Sequence, residues 1–333
     1  MRPDDLAELV ELLPDEDPFL YFRDREAPWL LAQRMAGPER VSALRSGPHA
    51  ALMERPLVKA LAARCGDGWL HPGDVATLAE PEAALGARTA MPKHAPEPGP
   101  RAEEALTIAA GELWRYYSVS FASWGVGEDP AWTQMSRPGG NLVLQLNFPA
   151  EHHAVFHRHF GRANRKVFEC PHHPIRRDGP ITMAWARLDL DPWGAELLIE
   201  EVQADWFRLV DYSIARLSRR GEESRMGAML QLYRERVLKP LQADWARALM
   251  LAVLAFARRD LGVSQVYMHA PETGARLKRI DDTLPPVSLY TRLPKRFGFE
   301  PVSAAPGFIE RRQGRAIRAL RASGDPVFWR LSL

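Results

Sequence analysis

The chain has 333 residues, 46% apolar and 26% charged, with a formal net charge of +2. That balance suits a globular protein with a sizeable core and carries no strong signal for nucleic acid. No apolar run approaches the roughly 20 residues that cross a bilayer, and Met1-Arg2-Pro3-Asp4-Asp5 lacks the basic-then-apolar order of a secretion signal, so a cytoplasmic protein is expected.

Residues 1–90 read as a helical N-terminal region. Asp5 is placed to cap a first helix bearing Leu6, Leu9, Val10, Leu12 and Leu13, which Pro14 closes. Further helical pieces fall around residues 29–35 and 52–65, punctuated by Asp67-Gly68 and His71-Pro72-Gly73. Pro92, Pro96, Pro98 and Pro100 among Gly and Ala mark a linker, set at residues 91–101. A helix is expected over 102–117, opening an α+β domain that spans 102–333.

Within that domain, residues 141–148 place Leu142, Leu144, Leu146 and Phe148 on one face and Val143, Gln145 and Asn147 on the other, a strand pattern. Residues 181–190 and 196–206 read as two more strands, joined by a turn at Asp191-Pro192-Trp193-Gly194. The three form an antiparallel meander. Helix dominates 207–261, where Trp245, Leu249, Val253 and Phe256 recur at three- and four-residue steps before Gly262. There follow a strand at 264–270, a turn at 271–274, a helix near 288–296, a strand from Phe299 and a last strand at 327–333. The fold class expected is α+β: a helical region, then a mixed sheet flanked by helices.

The most polar strand is also the most suggestive. In Glu200-Glu201-Val202-Gln203-Ala204-Asp205-Trp206, alternation puts Glu201, Gln203 and Asp205 on one face and Glu200 on the other with Val202 and Trp206. Carboxylates beside apolar residues are costly to bury unpaired, which suggests a site; an edge strand with a solvated face is the plainer reading. Arg187, two residues before Asp189 on the neighbouring strand, could pair with them.

The order of elements from residue 141 onward resembles the core of the GCN5-related N-acyltransferase (GNAT) fold. The closest local likeness is Ser288-Leu289-Tyr290-Thr291-Arg292-Leu293-Pro294-Lys295-Arg296-Phe297-Gly298-Phe299-Glu300, similar to the family's late helix with its Leu-Tyr pair and following Gly-Phe-Glu. The resemblance implies an acyl-CoA or similar thioester as donor and a small-molecule or peptide amine as acceptor. It assigns to Tyr290 the protonation of the leaving thiolate. The carboxylate run is also similar to a Glu-Glu-Ile-Gln-Ser-Asp-Trp signature in large polyvalent phage proteins, which implies common ancestry and a shared site without a reaction. The chain departs from the GNAT pattern where the family has an Arg/Gln-x-x-Gly-x-Gly/Ala phosphate loop after the third core strand; Arg219–Ala228 does not fit that spacing.

Glu201 or Asp205 is then the expected base and Tyr290 the acid, with Arg187 and Gln203 beside them. Arg219, Arg220 and Arg225 could meet the phosphates of a nucleotide-like donor, although an exposed basic helix face explains them too. His269, ending the strand at 264–270, would sit near the cleft or simply fill the core. Ser136-Arg137-Pro138-Gly139-Gly140-Asn141 reads as a turn into a strand.

Six of the ten histidines, His152, His153, His157, His159, His172 and His173, lie together with Cys170 among them. His153 and His157 share a face on a helix, and Cys170 with His172 or His173 could complete a tetrahedral metal set. A metal-dependent hydrolase on the His152–His173 cluster is therefore an alternative, as is a non-enzymatic accessory or interaction module. A solvated His-rich connection is the plainer reading. Cys65 and Cys170 stand too far apart in sequence to suggest a disulfide framework or a thiol-only zinc site.

Overall fold

The computed structural model describes residues 1–81, 100–112, 114–127, 133–191, 195–219, 225–280, 286–322, 324 and 327–333. Two compact units emerge: Leu20–Tyr116, and Met1–Phe19 together with Tyr117–Leu333. The chain opens with α1 (Pro3–Leu12) and β1 (Asp17–Tyr21). Pro3, Asp4 and Asp5 suit a first helical turn, where a missing N–H costs nothing and negative charge meets the positive helix end.

The helical unit holds α2 (Glu26–Ala32), α3 (Val41–Ser46), α4 (Ala50–Met53), α5 (Pro56–Ala63), α6 (Pro72–Ala79) and α7 (Ala102–Ala110), with a short ladder of β2 (Glu39–Arg40) and β3 (Trp69–Leu70). Trp29, Leu30, Leu61, Val75 and Leu78 fill its core. The helix expected to open the α+β domain belongs here instead. Ala105 and Ala109 of α7 are buried, and Arg101 just before it donates its N–H to Asp74 of α6 at 2.8 Å. The boundary thus moves from residue 102 to 116, while α1 falls in the other unit. Residues 91–99 of the expected linker lie outside the described residues.

The larger unit is built on a sheet of order β1-β4-β5-β6-β7-β8-β10-β9. Its remaining strands are β4 (Arg115–Trp124), β5 (Asn141–Asn147), β6 (Thr182–Asp191), β7 (Glu196–Gln203), β8 (Gln265–His269), β9 (Glu300–Val302) and β10 (Phe328–Ser332). From β4 to β9 neighbours run antiparallel except β7 and β8, which are parallel. Its helices are α8 (Ala150–Phe160), α9 (Asp205–Arg219), α10 (Arg225–Tyr233), α11 (Trp245–Arg259), α12 (Pro271–Lys278), α13 (Leu293–Arg296) and α14 (Gly307–Arg321). The architecture is the expected α+β one, a helical region followed by a mixed sheet flanked by helices, and β5-β6-β7 is the expected meander.

All of β5 is buried, so both of its faces are covered. Its polar residues survive there because they pair: Gln145 accepts from Ser120 at 2.8 Å, and Asn147 donates to Ser120 at 3.1 Å. Three local expectations shift. The strand at 196–206 stops at Gln203, and Asp205 starts α9. The turn at 271–274 is the first turn of α12, entered through Pro271. The helix at 102–117 ends at Ala110, and β4 begins at Arg115. The turn residues 192–194 lie outside the described residues. Among the described residues no helix is long and apolar enough to cross a membrane.

Candidate functional site

Strands β7 and β8 pair only from Glu196↔Gln265 to Ile199↔Met268. Against β6, Arg187 faces Glu201 and Leu188 faces Ile199, so Glu200 is an extra residue in β7. Such a bulge bends a strand and re-aims its side chains. It sits at the point where the parallel pair ends, and the strict alternation that separated Glu200 from Glu201 breaks there. A cleft of about 920 Å³ opens alongside, lined by Glu201, Val202 and Gln203 of β7, the starts of α9 and α11, Lys278 of α12 and Tyr290.

Glu200 is sealed beneath this cleft with no exposed surface. It accepts from the Ser136 N–H at 3.1 Å, from the Ser136 hydroxyl at 2.9 Å and from His269 Nε2 at 3.0 Å. Lys278 Nζ lies 3.7 Å from the same carboxylate and donates to the Glu200 carbonyl. Burial opposes charge on Glu200, but the His269 hydrogen bond and the charges of Lys278 and Arg187 outweigh it and hold the carboxyl well below its ordinary value. Burial pushes the His269 imidazole down, toward the neutral form. Ser136, His269 and Glu200 thus place three residue types of a hydrolytic triad together. The hydroxyl proton is spent on Glu200 and all three side chains are buried, so they hold structure.

On the cleft side Arg187 pairs with Glu201 and donates to the Thr133 and Gln134 carbonyls, the latter at 3.0 Å. Burial raises the Glu201 carboxyl, yet Arg187 and Lys278 overcome it and keep it below its usual range. Tyr290 is buried, and its hydroxyl accepts the Val202 N–H at 3.2 Å. Its carbonyl accepts from Trp329 Nε1 at 2.8 Å, which fixes the turn that carries it. Burial, with Glu201 nearby, pushes the phenol up, so it keeps its proton through the neutral range.

The structure gathers Glu201, Gln203 and Tyr290 along one cleft, while Arg187 stays outside its lining as the partner of Glu201. Asp205 does not line the cleft and lies at a helix start, not on a strand face: Gln203 donates to it at 2.6 Å, and His173 Nδ1 lies 2.5 Å away. Arg219 and Arg225 are exposed and do not line the cleft, and Arg220 lies outside the described residues. The cations at the cleft are instead Arg208, Arg247, Arg292, Arg296 and Lys278. Their spacing in the chain follows no motif, which is why the sequence did not single them out.

The histidine cluster does not converge. His152 is buried, stacked on Phe148 at 3.8 Å and bonded to the Tyr233 hydroxyl at 2.6 Å. His153 Nε2 accepts the Ile181 N–H at 2.9 Å, and His173 turns to Asp205. Among the described residues no group of three or more His, Cys, Asp or Glu is arranged to hold a metal ion. Arg137 of the Gly-Gly turn pairs with Asp189 at 2.6 Å. Comparison with protein-family models, with curated proteins and with solved structures finds no match for this chain; the chemistry of the cleft therefore carries the functional reading.

Proposed function

We propose that this protein is an N-acyltransferase of the GNAT type, moving an acyl group from CoA or a carrier thioester to an amine on a small molecule or peptide. The observation that carries the reading is the Tyr290 hydroxyl, 3.2 Å from the Val202 N–H where β7 has parted from β8. The run of antiparallel strands β5 to β7, helices, the parallel strand β8, further helical pieces, β9 and β10 supports it, since that order underlies the resemblance, although α14 stands between the last two strands where none was expected. In the reaction the amine attacks the thioester carbonyl, a C–N bond forms, and the C–S bond breaks. The thiolate takes the phenolic proton of Tyr290, which burial has kept in place. Glu201, held as a carboxylate by Arg187 and Lys278, borders the cleft where the neutral amine attacks.

Helix α9 starts at Asp205, two residues beyond the end of β7, leaving no room for a glycine-rich phosphate loop. Arg208, Arg247, Arg292 and Arg296 around the cleft offer the positive charge such a loop would supply. The free thiols of Cys65 and Cys170 fit a cytoplasmic setting, where acyl-CoA is made and used.

Thermal unfolding with acetyl-CoA and longer acyl-CoAs tests the reading. Saturable stabilisation is expected, about 2.7 kcal/mol at a ligand concentration 100 times Kd. Tyr290→Phe should keep that stabilisation and lose transfer by about 100-fold or more. No shift with any donor, and no effect of Tyr290→Phe, would sink the acyltransferase and leave an interaction module.

A further inference from the structure

We propose that His173 and Asp205, joined to the cleft through Gln203, form a general-base dyad that takes the proton from the nucleophile attacking there. That the nucleophile is an amine rests on the acyltransferase reading; the dyad itself rests on geometry. Asp205 is 5% exposed and both its oxygens are engaged: Oδ2 with His173 Nδ1 at 2.5 Å, Oδ1 with Gln203 at 2.6 Å and Arg208 at 2.8 Å. The His173 ring meets Trp185 edge-on at 5.3 Å. Nδ1 facing a carboxylate carries the proton, which leaves Nε2 with a bare lone pair. No described residue hydrogen-bonds to that Nε2. Gln203 joins the dyad to the cleft, because its side chain touches both His173 and Asp205 while the residue lines the cavity.

The competing bases are all spent. Glu201 is tied to Arg187, and Glu200 is sealed. Among the described residues two histidines pair with a carboxylate, His173 and His269. His269 has no exposed surface, whereas the His173 side chain is 25% exposed. The signal for His173 was present in the sequence only as one histidine of six, because its partner arrives from a helix start 32 residues later.

As the C–N bond forms, the amine proton passes to Nε2, and the resulting imidazolium stays paired with the Asp205 carboxylate. Sulfur leaves with the bonding pair and takes the Tyr290 proton. The imidazolium then releases its proton to water and the phenolate regains one. The charges that face this imidazole are Asp205 and Arg208 from α9 and Glu201 from β7, the last neutralised by Arg187.

Two reactions test the dyad on the full chain: hydrolysis of p-nitrophenyl acetate, which needs no CoA, and amine acylation from acyl-CoA. Wild type should cleave the ester with a basic limb in its pH profile, and His173→Gln should remove the limb and about 100-fold of the rate. Asp205→Asn should displace the limb. Long-range nitrogen–proton spectra of the wild-type histidines, which need no variant to fold, should show His173 protonated at Nδ1. His173-dependent ester cleavage without amine acylation keeps the dyad and removes the acyltransferase. Acylation indifferent to His173→Gln, ester cleavage in neither protein, or a proton on Nε2 overturns the dyad.

Discussion

Glu200 and Glu201 are neighbours in sequence and live in different chemistries. Glu200 has every approach closed: Ser136, His269 and Lys278 surround it and no solvent reaches it. Glu201 has one strong partner, Arg187, and otherwise borders an open cleft with Gln203 and Tyr290. One bulge residue separates the two cases. The same side-chain type is therefore sealed within the structure on one side and borders the cleft on the other, and mutation should tell them apart by which measurement moves.

The largest effect belongs to the sealed side. Glu200→Gln removes the charge that balances Lys278 and should cost about 3–5 kcal/mol in denaturant unfolding, the usual penalty for stranding one member of a buried ion pair. A loss under about 1 kcal/mol, within the range of an exposed pair, would erase the distinction between the two glutamates.

The second test is pH. Burial lowers His152 from 6.5 to about 3, so the unfolded chain binds this proton more readily than the folded one. Its contribution is complete above pH 6.5 and drains as pH falls toward 3, by up to about 1.4 kcal/mol per pH unit. Glu200, Glu201 and Asp205 are also depressed, and their contributions vanish only as pH drops below the ordinary 4.5 and 3.8. His152→Phe should therefore lessen the slope of the stability curve between pH 6.5 and 4.5, where the depressed His153 and His269 still contribute, and leave its steeper acid end. A curve unchanged by His152→Phe would mean that His152 is not sealed.

Tyr290→Phe comes next. It leaves the buried Val202 N–H without its acceptor, at about 1–3 kcal/mol, measured by urea unfolding without ligand. No loss of stability would show that the N–H finds water in the cleft and that this end of β7 is open to ligand.

Much of the sheet was legible because its strands alternate or run apolar: β5, β6, β8 and β10 lie within one residue of their expected bounds, and β7 starts as expected but ends three residues early. β4 was not, since Arg115-Tyr116-Tyr117 continues an apparent helix, whereas the strand they open pairs with β5 from Ser118 onward. α14 was hidden among arginines, with only Phe308, Ile309 and Ile317 fully buried and Ala316 and Leu320 packed beside them. At the site, Glu201, Gln203 and Tyr290 could be found along one strand and one motif. Asp205 was read on the strand although it opens a helix, and the bulge at Glu200 has no signature in the residues themselves. His173 and the cleft arginines come from separate segments, so only the fold brings them together.

The smallest expected effect separates two exposed arginines. Arg225 opens α10 away from the cleft, while Arg292 borders it beside Tyr290. Neither is buried, so Arg225→Ala and Arg292→Ala should each change stability by less than about 0.5 kcal/mol. Binding of acyl-CoA should distinguish them. Loss of one solvent-facing phosphate contact is worth about 1 kcal/mol, or roughly fivefold in Kd, and it should shrink as salt screens it. That loss is expected for Arg292→Ala and not for Arg225→Ala, by calorimetry at two ionic strengths. Equal weakening by both would move the phosphates toward the α9–α10 end, where the sequence first suggested them. Weakening by Arg292→Ala alone would tie the anion to the cleft that Glu201 and Tyr290 share.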